Sequence, residues 1–376
     1  MTDPSLAIPL TFAEIDLGAL AQNCRLLKQH IGPEVLLMAV VKANAYGHGA
    51  VEVARAALAN GAGHLAVARF EEGVHLREAG IDAPILVMNY TLLANVDTGI
   101  DHDLTLTVTD LPVIERVSHY AGQVGKVAQV HVKIDTGMGR YGLLPDEVVS
   151  FFEQAAPYPH IEIQGLFSHF AVSDLADKAY TWQQFEIFER VSDALRAAGF
   201  QVPICHIANS AAALDLPAMH LDAVRVGIAM YGLHPSDEVD PAVPVQPVLT
   251  LKSTVARVRT LPAGTSISYG RTYITPQAMP VALVPVGYGD GYPRILSNRG
   301  AVLINGQRAP IVGRVCMDQF VVDISDCSPV ALEDEVVLVG KQQGARISAE
   351  EVASWANTIN YEITTGLLPR VRRVFV

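Results

Sequence analysis

Lys42 stands at the end of an apolar run, VLLMAVV from Val35, and is followed by ANAYGHG. An ammonium carried into a partly desolvated pocket loses hydration, and its pKa falls. A neutral amine of that kind can attack a carbonyl and form a Schiff base. A strand-end lysine reaching solvent is the plainer account of the position. Arg225 lies inside another apolar run, AVRVGIAM from Ala223. A buried guanidinium needs a partner, either an internal ion pair or a ligand. Ser210, in ANSAAAL, precedes a helical pattern. Its hydroxyl and the free N–H groups of a helix start suit an anion, and an ordinary N-cap suits the position equally. His169 in FSHF and Lys133 in HVKIDTG also have structural readings, as a histidine packed beside aromatics and a strand lysine paired with an acid. No GxxxxGK(S/T) motif occurs, which argues against a nucleotide as the source of any bound phosphate.

These residues need a frame, and the hydropathy pattern supplies one. Short apolar runs begin at Val35, His64, Ile85, Leu104, Val127, Ile163, Ile204 and Ala223. Helical patterns such as GAVEVARAALANG and DKAYTWQQFEIFERVSDALRAAGF follow most of them. Runs that are apolar on both faces suit parallel strands buried on both sides. About eight such units is the number of a TIM-type (β/α)8 barrel, and a doubly wound open sheet is the competitor. Lys42, Asn89, Asp135, His169 and Asn209 fall at or just past the ends of their runs. A barrel carries its active site at the C-terminal ends of its strands, and an open sheet binds ligands there too. After about Pro235 the texture changes to a linker rich in proline and acids, PSDEVDPAVPVQPV. Short strand-like runs with Gly and Pro turns follow, and these predict a mainly β domain. Near the end, SAEEVASWANTI reads as a helix capped by Ser348, with Glu351 three residues on. The fold class is therefore α/β. The expected division is an N-terminal segment 1–10 associated with the β domain, a barrel over 11–240 and a C-terminal β-strand domain over 241–376.

Bulk properties narrow the function. The 376 residues carry a net charge of -12, which disfavours a nucleic-acid partner. Half of the residues are hydrophobic, so a packed core rather than disorder is expected. The start, MTDPSLAIPLTFAEID, has no basic opening and no sustained apolar run. The reading is a cytoplasmic protein with no signal peptide and no membrane partner. Cys24, Cys205, Cys316 and Cys327 form no CxxC pair, so reduced thiols are expected and no metal site.

The strings AVVKANAYGHG, HVKIDTGMGRYG, HIANSAAAL, VRVGIAMYG, SYGRTY, VGYGDGYPR, VGRVCMDQ and TINYE run in this order from Ala39 to Glu362. Together they resemble the alanine racemase family, the barrel-plus-β-domain branch of pyridoxal-phosphate enzymes. The resemblance spans nearly the whole chain. It implies an isomerase that interconverts L-alanine and D-alanine and supplies D-alanine for bacterial peptidoglycan. Lys42 matches the Schiff-base lysine and one of two acid/base groups, and Tyr269 matches the other. Racemisation through a planar carbanion needs acid/base groups on both faces of the α-carbon, or one mobile group, and such a pair meets the first requirement. Tyr46 matches a phosphate ligand, together with Ser210, the backbone N–H groups near Gly227 and Ile228, and Tyr361. Arg225 matches the partner of the pyridine nitrogen. An always-protonated guanidinium keeps that nitrogen unprotonated, which favours returning a proton over transamination. His169 matches the residue that contacts this arginine. Arg140 matches the arginine beside the cofactor's phenolic oxygen and the substrate carboxylate. Lys133 matches a lysine that many members carry as a carbamate. Met317 matches the residue whose backbone N–H binds the substrate carboxylate. Tyr288, Asp174, Arg294 and Arg314 match the entrance. The resemblance also implies a homodimer in which Lys42 of one chain meets Tyr269 of the other.

Three neighbouring activities compete. A barrel-type pyridoxal-phosphate decarboxylase would lack the SYGRTY, CMDQ and INYE residues. A small non-catalytic pyridoxal-phosphate-binding barrel would lack the second domain. A racemase for serine or for many amino acids would need more room than Tyr361 and Tyr288 leave.

Overall fold

A computed structural model of the chain describes residues 9–241 and 243–376. These fall into two units, Ala19–Gln246 and residues 9–18 with Pro247–Val376. The first strand, β1 (Phe12–Ile15), belongs to the second unit.

In Ala19–Gln246 the eight apolar runs become parallel strands. They are β2 (Leu36–Val40), β3 (His64–Val67), β4 (Ile85–Val87), β5 (Thr105–Val108), β6 (Ala128–Lys133), β7 (Ile161–Phe167), β8 (Ile204–His206) and β9 (Ala223–Val226). Their hydrogen-bonded order is β8-β7-β6-β5-β4-β3-β2-β9, so the last strand returns to the first. The pair β2 and β9 runs in register from Leu36↔Ala223 to Ala39↔Val226. Two backbone bonds bridge the remaining seam: Arg225 N–H to Ala208 O (3.0 Å) and Asp222 N–H to Cys205 O (3.1 Å). Helices such as Ala50–Leu58, Leu111–Gln123 and Ala179–Ala197 lie between the strands in sequence. Leu111–Gln123 buries Val113, Ile114, Val117 and Ala121, the stripe an amphipathic helix turns to a core. This is the (β/α)8 barrel that the count of runs predicts, nearly closed.

The second unit is mainly β. Its other strands are β10 (Leu249–Thr254), β11 (Arg257–Leu261), β12 (Ser266–Ile267), β13 (Tyr273–Ile274), β14 (Met279–Val284), β15 (Ala301–Ile304), β16 (Gln307–Val312), β17 (Phe320–Asp323), β18 (Glu335–Gln342), β19 (Ala345–Ile347) and β20 (Arg372–Phe375). The main sheet runs β11-β14-β17-β16-β15-β18-β10-β1-β20, with β19 on β18. Strand β10 alternates buried and half-buried residues, as expected of an antiparallel sheet with one face on a core. Leu261, Ile267, Met279, Val281 and Val312 pack one such core. The helix Ala349–Ala356 is capped as read, with Ser348 Oγ accepting from Glu351 N–H at 3.1 Å.

The expected boundary at residue 11 moves. Strand β1 pairs antiparallel with β10 and parallel with β20, so residues 12–15 belong to the β unit and not to the barrel. The physical reason is that the eight barrel strands already use one another's edges. The alternating FAEI therefore finds its partners in the open sheet. The upper boundary falls at Gln246 rather than 240. Of the expected 1–10 segment, residues 1–8 lie outside those described. Among the described residues no helix is long and apolar enough to cross a membrane.

Candidate active site

The chain turns abnormally at the end of β2. Val41 N–H still bonds Ala66 O at 2.9 Å, and then Ala43, Asn44, Ala45 and Tyr46 all take φ near the left-handed value, 52, 53, 52 and 53°. The turn over residues 43–46 is thus left-handed. Such a conformation costs an L-residue about 1–2 kcal/mol. Surrounding bonds hold it. Ala45 N–H reaches Val41 O at 2.8 Å, and Gly47 N–H reaches Ala43 O at 3.0 Å. The Glu72 carboxylate accepts from Ala43 N–H (2.6 Å), Ala68 N–H (2.8 Å) and Arg69 N–H (3.0 Å), which ties the turn to the start of the helix Phe70–Glu78. The result buries Tyr46 against Tyr231, with ring centroids 5.0 Å apart. A Cβ at Gly227 would fall 2.4 Å from the Tyr46 hydroxyl, so only glycine leaves that hydroxyl its place.

The end of β6 positions a second cation. Asp135 accepts the backbone N–H groups of Gly137 (2.9 Å), Gly139 (3.0 Å) and Arg140 (2.9 Å). Partial burial pushes its carboxyl up, but these bonds outweigh it and leave the pKa below the usual range. The loop therefore holds Arg140 at a fixed height above the strand. Its string GMGRYG spells GxGxxG, but it closes on the bridge Ile134↔Leu143 and no helix starts at it, so it is not a dinucleotide turn.

Four cations crowd this end of the barrel. Burial lowers the Lys42 pKa, and Arg140 and Arg225 lower it further against an opposing pull from Glu72. Lys133 falls to about 7, first through burial and then through Arg225, Arg140 and Lys42. The strand-lysine reading required an acid partner, and among the described residues no carboxylate forms an ion pair with Lys133. Its Nζ instead lies 5.0 Å from the Tyr141 ring centre and 5.1 Å from that of Phe167. Arg225 is 3% exposed and has no acid partner among the described residues either. It donates to Ser168 O (2.8 Å), Ile207 O (3.1 Å), His169 Nδ1 (3.1 Å) and His206 Nδ1 (2.6 Å). The contact with His169 was expected. The contact with His206 was missed, and its only signal in the sequence is a histidine inside the apolar run ICHIA.

Ser210 is not the helix cap. Asn209 caps Ser210–Asp215, its Oδ1 accepting from Ala212 N–H at 3.1 Å. Ser210 Oγ instead accepts from Gly227 N–H at 3.0 Å, joining the ends of β8 and β9 just before Ile228 opens a tight turn. Asp174 sits on the loop after β7, where its carbonyl accepts from the Ser236 hydroxyl.

The remaining expected residues lie in the β unit, on adjoining loops. Tyr269 is 73% exposed. Ser268 before it donates to Arg314 O at 2.7 Å. Tyr288 N–H reaches Cys316 O (3.1 Å), and Gly289 N–H reaches Met317 O (2.8 Å). A Cβ at Gly287 would lie 2.2 Å from Cys316 O, so GYGDG can only lie against CMDQ as glycine. Arg370, which the sequence reading passed over, clamps the pair through Asp290 (2.6 Å) and Asp318 (2.9 Å). Arg294 opens the next short turn, where Ser297 Oγ accepts from Val315 N–H at 3.0 Å. Tyr361 is on the helix Asn360–Thr365, and the carbonyl just past it, Gly366 O, would be 2.0 Å from a Cβ at Gly291.

Comparison with known proteins agrees with this picture. A family model described as the N-terminal domain of alanine racemase matches residues 15–235, and one described as its C-terminal domain matches 248–375. The alanine racemase of Halothermothrix orenii is 45% identical over 365 residues, which are 97% of this chain and 96% of that one. The alanine racemase of Bacillus anthracis with bound L-Ala-P superposes with a TM-score of 0.92 at 39% identity, covering 98% of this chain and 96% of that one. The alanine racemase of Bartonella henselae with covalently bound pyridoxal phosphate gives 0.88 at 30% identity, covering 98% and 100%. Fold and site together define a (β/α)8-barrel enzyme with a β-strand domain and a depressed lysine amine at its strand ends. The chain belongs to the alanine racemase family and is a racemase.

Proposed function

We propose that this racemase interconverts L-alanine and D-alanine with pyridoxal phosphate held on Lys42. The observation that carries the reading is Lys42 itself, an amine at the end of β2 whose pKa is lowered by burial and by two arginines. Such an amine is neutral more readily than a surface lysine and can bond a carbonyl carbon. The other donors of the same unit fit the cofactor. Tyr46 Oη, Ser210 Oγ and the backbone around Gly227 and Ile228 suit a phosphate, and the glycine keeps room for the tyrosine hydroxyl. Tyr361 of the β unit is assigned to the same phosphate. Arg225, a donor only, suits an unprotonated ring nitrogen. When bound, pyridoxal phosphate supplies an electron sink for the bond pair left when the substrate loses its α-proton.

The chain's own groups do the rest. Lys42 moves a proton at one face of the α-carbon and Tyr269 at the other. Arg140 and the Met317 backbone N–H hold the substrate carboxylate. His169 steadies Arg225. Lys133, lacking an acid partner, can add carbon dioxide as a neutral amine and release a proton. The carbamate anion so formed would orient Arg140. Tyr288, Asp174, Arg294 and Arg314 line the entrance, and Tyr361 and Tyr288 keep it narrow enough to favour a methyl side chain. Two chains would share each site, Lys42 from one and Tyr269 from the other. The exposure of Tyr269 (73%), Met317 (53%) and Tyr288 (41%) supports that reading. The product would serve bacterial cell-wall synthesis in the cytoplasm.

The test is direct. Borohydride treatment of the purified protein should fix the cofactor to the peptide containing Lys42. Incubation with L-alanine should then yield nearly equal amounts of both enantiomers. A label on another lysine refutes the assignment, and release of carbon dioxide without D-alanine points to decarboxylation.

A further inference from the structure

The barrel unit holds a line of imidazoles that the proposed chemistry leaves unused. Strands β6 and β7 pair in step through Val130↔Ile163 and then jump to His131↔Gly165. Gln164 is the extra residue, and the register shift is a β-bulge, a device that re-aims side chains. A Cβ at Gly165 would lie 2.3 Å from His131 Nδ1 and 2.4 Å from its Cε1. The His131 ring thus occupies the space that any side chain at 165 would take. From there His131 Nδ1 is 3.0 Å from His206 Nε2, and His206 Nδ1 is 2.6 Å from the Arg225 guanidinium. His206 stacks on Phe167 with centroids 5.0 Å apart, and the guanidinium carbon lies 5.4 Å from the same ring. His131, His206 and Arg225 are all buried.

Arg225 sets the direction of this chain, because a guanidinium only donates. His206 Nδ1 must accept, so the proton of the neutral ring sits on Nε2. Nε2–H donates to His131 Nδ1. His131 then carries its own proton on Nε2, and the bulged Gln164 is its side-chain hydrogen-bond partner. The charged or titratable groups acting on the two rings are Arg225, His64 and, for His206, Lys133, with no carboxylate among them. Burial first, and these groups second, hold His131 at about 3 and His206 well below the usual range. Burial and the neighbouring cations therefore favour the neutral form of both rings.

We propose that His131, seated by the Gln164 bulge and by Gly165, is a positioning residue. Its Nδ1 accepts the His206 Nε2–H that Arg225 dictates, which holds the His206 ring in place and, through it, the guanidinium of Arg225. The kinetic part of the test rests on the role proposed for Arg225, whereas the spectroscopic part does not.

The experiment uses the isolated enzyme with its histidines 15N-labelled. The wild-type spectrum should show His206 and His131 as neutral Nε2–H tautomers, unchanged between about pH 5.5 and 9. In His131→Asn the amide oxygen, one bond past Cγ, stands where Nδ1 stood and can accept. His206 should keep its tautomer, and the share of turnovers ending in transamination should stay within about twofold of wild type. His131→Leu leaves the His206 Nε2–H without an acceptor. The His206 Nε2–H signal should lose its hydrogen-bond shift or broaden, and the transaminated share should rise by roughly tenfold, the factor that about 1.4 kcal/mol of a lost hydrogen bond corresponds to. A wild-type His206 protonated on Nδ1 overturns the proposal. So does a leucine variant with unchanged His206 signals. If the leucine variant does not fold, the asparagine variant decides. A preserved tautomer supports the proposal and a lost one overturns it. A changed His206 signal with an unchanged transaminated share leaves His131 positioned as described and refutes the role given to Arg225.

Discussion

Replacing Ala43 by glycine should stabilise the protein, although the same exchange in an ordinary helix destabilises it. Ala43 sits at φ 52° and ψ 50°, is exposed, and uses only its backbone, the N–H on Glu72 and the carbonyl on Gly47 N–H, both of which glycine keeps. Its Cβ contributes little burial and carries the left-handed penalty of about 1–2 kcal/mol. Glycine removes that penalty and costs about 0.5–1 kcal/mol in extra freedom of the unfolded chain. The net expectation is a gain of roughly 0.5–1 kcal/mol. Ala194 supplies the contrast, being exposed within the right-handed helix Ala179–Ala197. Ala194→Gly should cost about 1 kcal/mol. A unit of this size shifts by about 2–4 °C per kcal/mol. Calorimetry of the two variants as cofactor-free protein should therefore give opposite signs, up by about 1–4 °C for Ala43→Gly and down by about 2–4 °C for Ala194→Gly. A drop in both would mean that the turn after Lys42 is not left-handed in solution. The account of how Tyr46 reaches Gly227 would then fall with it.

Gly227→Ala should push the Tyr46 hydroxyl from its place, since Tyr46 is buried on Tyr231 and cannot recede. Affinity for pyridoxal phosphate, titrated by absorbance, should fall about 10–100-fold, the worth of one charge-assisted hydrogen bond. Tyr46→Phe should match that loss without the clash, and wild-type affinity in both would remove Tyr46 from the phosphate donors. Lys133, at about 7, is mostly neutral above that pH and mostly cationic below it. With 13C-bicarbonate its carbamate resonance should be strong near pH 8.5 and fade below about pH 7. A signal that never appears, or that persists unchanged at low pH, counts against the carbamate. Lys42→Ala and Tyr269→Phe should each be nearly inactive alone. After chain exchange, roughly half of the dimers are mixed with one intact site each, so activity should recover to roughly a quarter of wild type. No recovery, with exchange verified by native mass spectrometry, refutes the shared site.

What the sequence determined by itself was whatever local pattern encodes. Eight runs apolar on both faces suited buried parallel strands, and their count pointed to the barrel. Alternation and Gly/Pro turns marked the β domain, and Ser348 with Glu351 marked a helix start. The ordered strings from Lys42 to Tyr361 named the family, because motifs carry chemistry even when their partners are unknown. Whatever depends on residues far apart in the chain was decided by the tertiary structure. The left-handed turn after Lys42 is held in part by Glu72, and no propensity for Ala-Asn-Ala-Tyr predicts it. Strand β1 reads as the start of the barrel until β10 and β20 claim its edges. His131 and His206 look like stray polar residues in apolar strands. They meet Arg225 only because barrel register and one bulge at Gln164 bring three strands' side chains into one line. Periodicity is a property of neighbours along the chain, whereas a proton's direction in a buried network belongs to partners that only the closed barrel brings together.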